Sequence, residues 1–205
     1  YKQTHYEVEY DFSSLQQYTK QGNKYSHDTL SILRENGHLV KIYVAEDELK
    51  EAWNRRSELN FFGNDKSNHS VNNTLTRYMS SKGLRKDKEG FAMLSDDDIR
   101  AVEDGLTNFK YTKWPGLYIR FHQMMMGLYI YKKTGYKNST WSTLTERLDL
   151  WRASWKAFKK YPLHGWGTGS ILHAVDYGLE QNNSVLLGKN MKPHNQYIYF
   201  LLTLG

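Results

Sequence analysis

The sequence predicts an α+β fold, mainly α-helical, with a small N-terminal antiparallel sheet. Three observations carry this. Residues 6–12 alternate with period two. Asn36-Gly37 is the dipeptide of a two-residue hairpin. From residue 46 onward, apolar side chains recur at helical spacing. One domain is expected, with an antiparallel β region over 1–45 and a helical region over 46–205.

The alternation places Tyr6, Val8, Tyr10 and Phe12 on one strand face and Glu7, Glu9 and Asp11 on the other. Thr29 to Glu35 and His38 to Val44 form the hairpin arms around Asn36-Gly37. Glu46-Asp47-Glu48 supply acid to a first helical turn, and Leu49, Ala52, Trp53 and Leu59 continue its stripe. Residues 60–73 read as an exposed loop. Leu75 to Ser81 form a short helix closed by Gly83, and Ser95 caps another that carries Ile99, Val102 and Leu106. Leu117, Phe121, Met124, Met125 and Leu128 mark a longer helix, whose methionines are expected to fill core space. The clearest helix covers 144–160. Thr143 and Glu146 suggest a capping box, and Leu144, Leu148, Trp151, Trp155 and Phe158 form one continuous stripe expected to be buried. Lys156, Lys159 and Lys160 suit its C-terminal dipole, and Pro162 ends it.

The 205 residues carry 28 Lys and Arg against 22 Asp and Glu, a net charge of +6, with no cysteine and 15% aromatics. That length supports a real hydrophobic core, and the aromatic content excludes intrinsic disorder. A chain without cysteine has neither a disulfide framework nor a cysteine zinc site, though its compartment stays open. No apolar run reaches the roughly 18 residues needed to span a bilayer. The positive balance suits anionic lipid headgroups or a pyrophosphate-bearing substrate. Nucleic acid is not expected, because no helix-turn-helix, RNP or zinc-finger pattern occurs. After Lys192 no charge follows, and 196–204 are largely apolar. This stretch reads as the first half of a membrane segment, and the chain as a soluble loop excised from a membrane protein.

Metal chemistry is not expected. His164, His173 and His194 are nine and twenty-one residues apart, and no HExxH occurs. No GxSxG nucleophile elbow is present either. Gly165-Trp166-Gly167-Thr168-Gly169 precedes a helix from Ser170. Such a loop either presents its N–H groups to a phosphate oxygen or simply connects two helices tightly.

Residues 147–205 carry a further pattern. Arg147-x-x-x-Trp151 is followed by Pro162-Leu163-x-Gly165-x-Gly167-x-Gly169, then by His194-Asn195 with nine residues before Gly205. This order resembles the O-antigen ligase and polymerase superfamily of bacterial membrane proteins. Its large extracytoplasmic loop carries R-x-x-x-W, P-L-x-G-x-G and H-[NSQ]-x9-G in the same sequence. Residues 74–105 resemble the upstream loop of one branch less specifically. This chain departs from the pattern at Trp166, where the family usually has a smaller apolar residue. Lys189 and Lys192 stand where related chains often place arginine, giving point charges rather than bidentate forks. The family's S-R-G motif is absent.

The resemblance implies a metal-independent, cofactor-free glycosyltransferase of GT-C-like architecture in the inner membrane, with this segment periplasmic. It implies His194 and Arg147 as catalytic residues. Asn195, Lys192, Lys189, Gly165, Gly167 and Gly169 are implied as substrate-binding. The implied donor is a glycan on undecaprenyl pyrophosphate, and the acceptor is a glycan or lipid A–core. Flanking membrane helices would complete the site, so the chain alone is expected to be inactive. A pyrophosphate leaving group without a metal needs fixed cations, and an acceptor hydroxyl needs a base. The competing expectation is a non-enzymatic extracytoplasmic module whose exposed Trp and Tyr stack on sugars.

Overall fold

The computed structural model describes residues 7–133 and 143–205. The chain divides into two compact units, Tyr1–Ile119 and Arg120–Gly205. The change of sequence period at residue 45 therefore falls inside the first unit. Eight α-helices and one two-stranded antiparallel sheet are present among the described residues, so the fold is mainly helical with a small sheet, as the sequence predicts.

In the first unit, β1 (Arg34–Glu35) pairs with β2 (His38–Leu39) in the register Arg34 with Leu39 and Glu35 with His38. Asn36 and Gly37 both have positive φ, 47° and 92°, the type I′ geometry expected of this dipeptide. The arms are shorter than predicted and continue as isolated bonds, such as Val40 N–H to Leu33 O at 3.0 Å and the Ser26–Val44 bridge. The strand expected over 6–12 is not formed among its described residues, and Tyr6 lies outside them. Asp11 instead caps a 3₁₀ turn, Phe12–Ser14, by accepting the Ser13 N–H. Val8 makes one backbone bond to Gly37.

The hairpin is fixed to the helices by a buried charge. Glu35 is 1% exposed and accepts Arg77 Nε and Nη2 on Oε1 and Asn108 Nδ2 on Oε2. Burial raises the carboxyl's pKa despite the opposing Arg77 charge. Helix α1 (Glu46–Arg56) buries Leu49 and Trp53, and α2 (Val71–Ser81) buries Leu75, Tyr78 and Met79 in the same core. Gly83 closes α2 with a Schellman pair, Gly83 N–H to Ser80 O and Leu84 N–H to Met79 O. Segment 60–73 is not a plain exposed loop. Phe61 is fully buried, α2 already begins at Val71, and buried Asp65 gathers the chain by accepting from Ser67 N–H, His69 N–H and Thr74 Oγ1. Helices α3 (Lys88–Ala92) and α4 (Asp96–Glu103) follow, and α4 starts at the expected Ser95 cap, which with Asp98 forms a full capping box.

Helix α5 (Gly116–Lys133) spans the boundary between the units. Its predicted stripe is not the buried one. Leu117, Phe121 and Met124 are exposed, whereas Gly127, Ile130 and Tyr131 are buried.

In the second unit, α6 (Thr143–Lys160) and α7 (Ile171–Gln181) pack closely, joined by α8 (Gln196–Leu204). Thr143 is already helical, and what precedes it lies outside the described residues, as does any test of the expected capping box. The large apolar stripe predicted to be buried on α6 is not its core face. Thr145, Asp149, Leu150, Ala153, Ser154 and Ala157 are buried, while Trp155 is 52% exposed. The reason is backbone approach: a Cβ at Gly178 on α7 would collide with the Ala153 carbonyl. Small residues let the helices meet, and bulky ones are turned outward.

Two outcomes follow for stability. Gly178→Ala should destabilise the chain by about 3 kcal/mol, an overpacking cost against backbone, whereas Gly169→Ala, with open space at its Cβ, should change it by less than about 0.5 kcal/mol. Urea unfolding of both variants checks this, and equal effects would refute it.

Lys86 gives a pH signature. It is 3% exposed and donates to Leu39 O and Ile42 O at 3.1 and 3.0 Å, and burial pulls its pKa down to about 7. Between pH 7 and the ordinary lysine range the unfolded chain holds the extra proton, so stability should rise with pH, by up to about 1.4 kcal/mol per unit. Lys86→Met should flatten that rise in urea titrations at pH 7.5, 8.5 and 9.5; an unaltered slope would exclude Lys86 as its source.

Candidate functional site

The second unit brings the three sequence patterns onto two elements and one loop. Arg147 lies on α6, is exposed, and stands one turn before Trp151 on the same side of the helix. Trp151 is half-buried, and its Nε1 donates to the carbonyl of Pro193 at 2.8 Å. The peptide bond held by Trp151 is therefore the one that leads into His194. This links the R-x-x-x-W pattern to the His-Asn pattern, which lies more than forty residues away in sequence.

His194 is exposed and adopts left-handed backbone, φ 49°. Only a few per cent of non-glycine residues do so, and histidine is among the types enriched there. Pro193 before it is buried. Asn195 after it caps α8, with Oδ1 accepting from Tyr197 N–H at 2.9 Å and Ile198 N–H at 3.3 Å. The imidazole thus stands at the entry to α8, on a peptide pinned from both sides. The x9 spacing is the length of that helix, Gln196–Leu204, and Gly205 is its C-cap.

The glycine loop serves the other end of α8. Trp166 N–H donates to Leu202 O at 2.7 Å and Gly167 N–H to Thr203 O at 3.2 Å. These bonds satisfy carbonyls that the helix terminus leaves open. Gly165 has φ 63°, and a Cβ there would sit 2.5 Å from the Thr203 carbonyl carbon, so the approach needs glycine. The connector geometry accounts for Gly165 and Gly167. Gly169 has neither positive φ nor a crowded Cβ. Trp166 packs beside the loop, its Nε1 bonded to Ala157 O, its ring against Tyr161 and Tyr177, and Lys160 Nζ above the group.

Lys189 and Lys192 are exposed on the segment leading to His194. Among the described residues, no carboxylate lies within ion-pairing distance of Arg147, Lys189 or Lys192. The ion pairs that are described, such as Arg77–Glu35 and Lys82–Asp98, belong to the first unit. The charge is segregated accordingly. Residues 120–205 hold 11 Lys and Arg against 4 Asp and Glu, while residues 1–119 hold 17 against 18. The entire positive excess belongs to the unit that carries the motifs. No group of three His, Asp or Glu suited to a metal ion occurs among the described residues.

A groove of about 640 Å³ beside Trp151 was not legible in the sequence. Trp155, Lys156 and Lys159 line it, although the sequence suggests core packing for the first and dipole compensation for the lysines. The Ala153-x-x-x-Ala157 and Ala174-x-x-x-Gly178 spacings were the available signal, since small residues at helical spacing mark the face along which backbones approach.

Among the described residues, no helix is long and apolar enough to cross a membrane. Neither a curated protein nor a solved structure matches the chain. A family model described as O-antigen ligase matches residues 99–205, which include all of α6, α7, α8 and the loops between α6 and α8. The match covers more than half of the chain and every residue of the arrangement around His194, and the chain belongs to the O-antigen ligase family.

Proposed function

We propose that this chain is the extracytoplasmic loop of a membrane glycosyltransferase that moves a glycan from undecaprenyl pyrophosphate to an acceptor sugar, on lipid A–core or on a second carrier-linked repeat. The observation that supports it most is the Trp151–Pro193 hydrogen bond, which ties the helix bearing Arg147 to the peptide bearing His194. In this reading the acceptor hydroxyl oxygen attacks the anomeric carbon of the donor. The bond from that carbon to the pyrophosphate oxygen breaks, and the hydroxyl proton passes to a neutral His194 imidazole. Arg147 takes two oxygens of the departing pyrophosphate, with Lys189 and Lys192 adding point charges, so no metal is required. Asn195 keeps His194 at the start of α8, Gly165 and Gly167 shape the loop that anchors the far end of the helix, and Gly169 leaves open space beside that loop.

Exposed Tyr197, Phe200 and Leu204 on α8, with Leu163 on the loop beside it, suit a bilayer surface. That surface is where a lipid-linked donor presents its pyrophosphate. The non-enzymatic glycan-binding alternative shares the exposed aromatics but gives no role to an αL histidine whose peptide is tied to the helix that carries Arg147.

In cells lacking the parent gene, His194→Asn in the full protein should reduce glycan transfer by about 100-fold or more, the usual range for losing a general base. Asparagine tolerates left-handed backbone, so this variant keeps the local fold while removing the proton acceptor. Arg147→Lys keeps the charge but loses the fork, and should lower transfer at least about tenfold. Surface polysaccharide analysis gives the readout, with thermal melting of the 205-residue chain as the folding control. Near-normal transfer by either variant, at normal protein level, would refute the role assigned to that residue.

A further inference from the structure

We propose that the groove on the outer side of α6, at the end of α7, is a binding site for an acidic glycan, with one sugar ring stacked on Trp155 and its carboxylate met by Lys156 and Lys159. Its place on the molecule stands on the geometry alone, and its part in transfer rests on the function proposed above.

The groove has about 640 Å³, within the range of small-ligand sites. Trp155 on its wall is 52% exposed, with its ring stacked on Phe158 at 5.3 Å and 30°. An indole held by a neighbouring ring and open to solvent is a platform for the C–H face of a pyranose. Lys159 Nζ lies 5.8 Å from the same ring centroid, which puts a cation beside whatever stacks there. Lys156 Nζ donates to Gln181 O at 3.0 Å, an uncharged partner that leaves its charge uncompensated. Arg152 adds a third cation to the lining, while Asp149 is the one acid, so the groove is net positive.

Asp149 supplies the second, independent observation. Its side chain is buried, 1% exposed, and lines the groove. Oδ2 accepts Ser184 Oγ, but Oδ1 has no hydrogen-bond partner, and neither does the buried Nδ2 of Asn182 in the same wall. A buried polar atom left unpaired is costly and needs an explanation. Both atoms are covered, and a turn of either side chain toward the groove would present an acceptor and a donor that match the hydroxyls of a sugar, each of which can donate and accept. A simple anion offers no donor to Oδ1, and an apolar ligand satisfies neither atom. Aromatic platform, polar floor and cationic rim together select a sugar that carries a negative charge. Trp151 lines this groove while holding the Pro193 carbonyl, so the site adjoins the peptide of His194. A glycan held here lies next to the proposed point of transfer.

The test is calorimetric titration of the 205-residue chain with oligogalacturonate, with neutral chitooligosaccharide of equal length, and with dextran sulfate. Oligogalacturonate should bind at least tenfold more tightly than the neutral oligomer. Trp155→Ala should weaken that binding at least tenfold, and the double variant Lys156→Gln/Lys159→Gln should bring it down to the neutral level. All three side chains are exposed, and unchanged melting of each variant verifies the fold. Equal affinity for neutral and acidic oligomers would overturn the acidic specificity. Dextran sulfate binding as tightly, with Trp155→Ala without effect, would reduce the site to general polyanion attraction and overturn it. Absence of oligogalacturonate binding would overturn it outright. His194→Asn should leave this binding unchanged, so failure of the groove and failure of the transfer reading are separable.

Discussion

The close approach of Ala153 on α6 to Gly178 on α7 governs the second unit. A helix pair normally stays 8–10 Å apart because side chains keep the backbones separate. Here Ala153, Ala157 and Ala174 are fully buried and Gly178 has no side chain, so the backbone of one helix reaches the other. Once that face is committed, the remaining side chains of α6 have fixed directions. Leu150 joins the core, Trp151 turns toward the segment before α8, and Trp155 turns to solvent. The groove exists because the bulky residues are outside the helix interface rather than within it.

The same close packing explains how α8 is held. Its N-terminal approach is tied to α6 by Trp151 and capped by Asn195, and its last carbonyls are bonded by the loop that joins α6 to α7. A nine-residue helix is marginal in isolation. Fixing both ends makes it a rigid support, which an exposed side chain at its entry requires if it is to act at a defined point. The left-handed backbone of His194 fits this account. Such a conformation costs of order 1 kcal/mol outside glycine and persists only where neighbouring interactions determine it. The Trp151 bond before it and the Asn195 cap after it provide them.

Local chemistry is legible in the sequence wherever a residue acts on its own neighbours. The Asn36-Gly37 turn, the Ser95 cap and the Gly83 terminus are each decided within four residues. Burial is misread where size is taken as the guide. On α6 the larger stripe of Leu and Trp reads as the core face, but close helix packing favours the smaller one. On α5 the exposed Leu117 and Phe121 outweigh the quieter Gly127 and Ile130. Asp65 is invisible because a carboxylate that organises a loop looks in sequence like any polar loop residue. Arg147, His194 and Asn195 stand out through family motifs. The bond from Trp151 to Pro193 spans forty-two positions, and no local pattern encodes it.

Charge adds a constraint that neither motif nor packing supplies. In the first unit the acids and bases nearly balance, and Arg77, Lys82 and Arg56 each have a carboxylate partner. In the second, 11 bases face 4 acids, and of those acids Asp149 is buried within the groove wall. Such an excess works against compactness through self-repulsion, so it is unlike the outcome of stability alone. It does suit a surface that meets anions, and six of the eleven cations share one region of the unit. Lys189 and Lys192 flank the approach to His194, Arg147 precedes Trp151 by a turn, and Arg152, Lys156 and Lys159 follow along the groove. Helix α6 therefore carries positive charge on both sides of the indole that anchors the His194 peptide, and an anionic group and an acidic sugar attached to it would meet cations along one continuous helix.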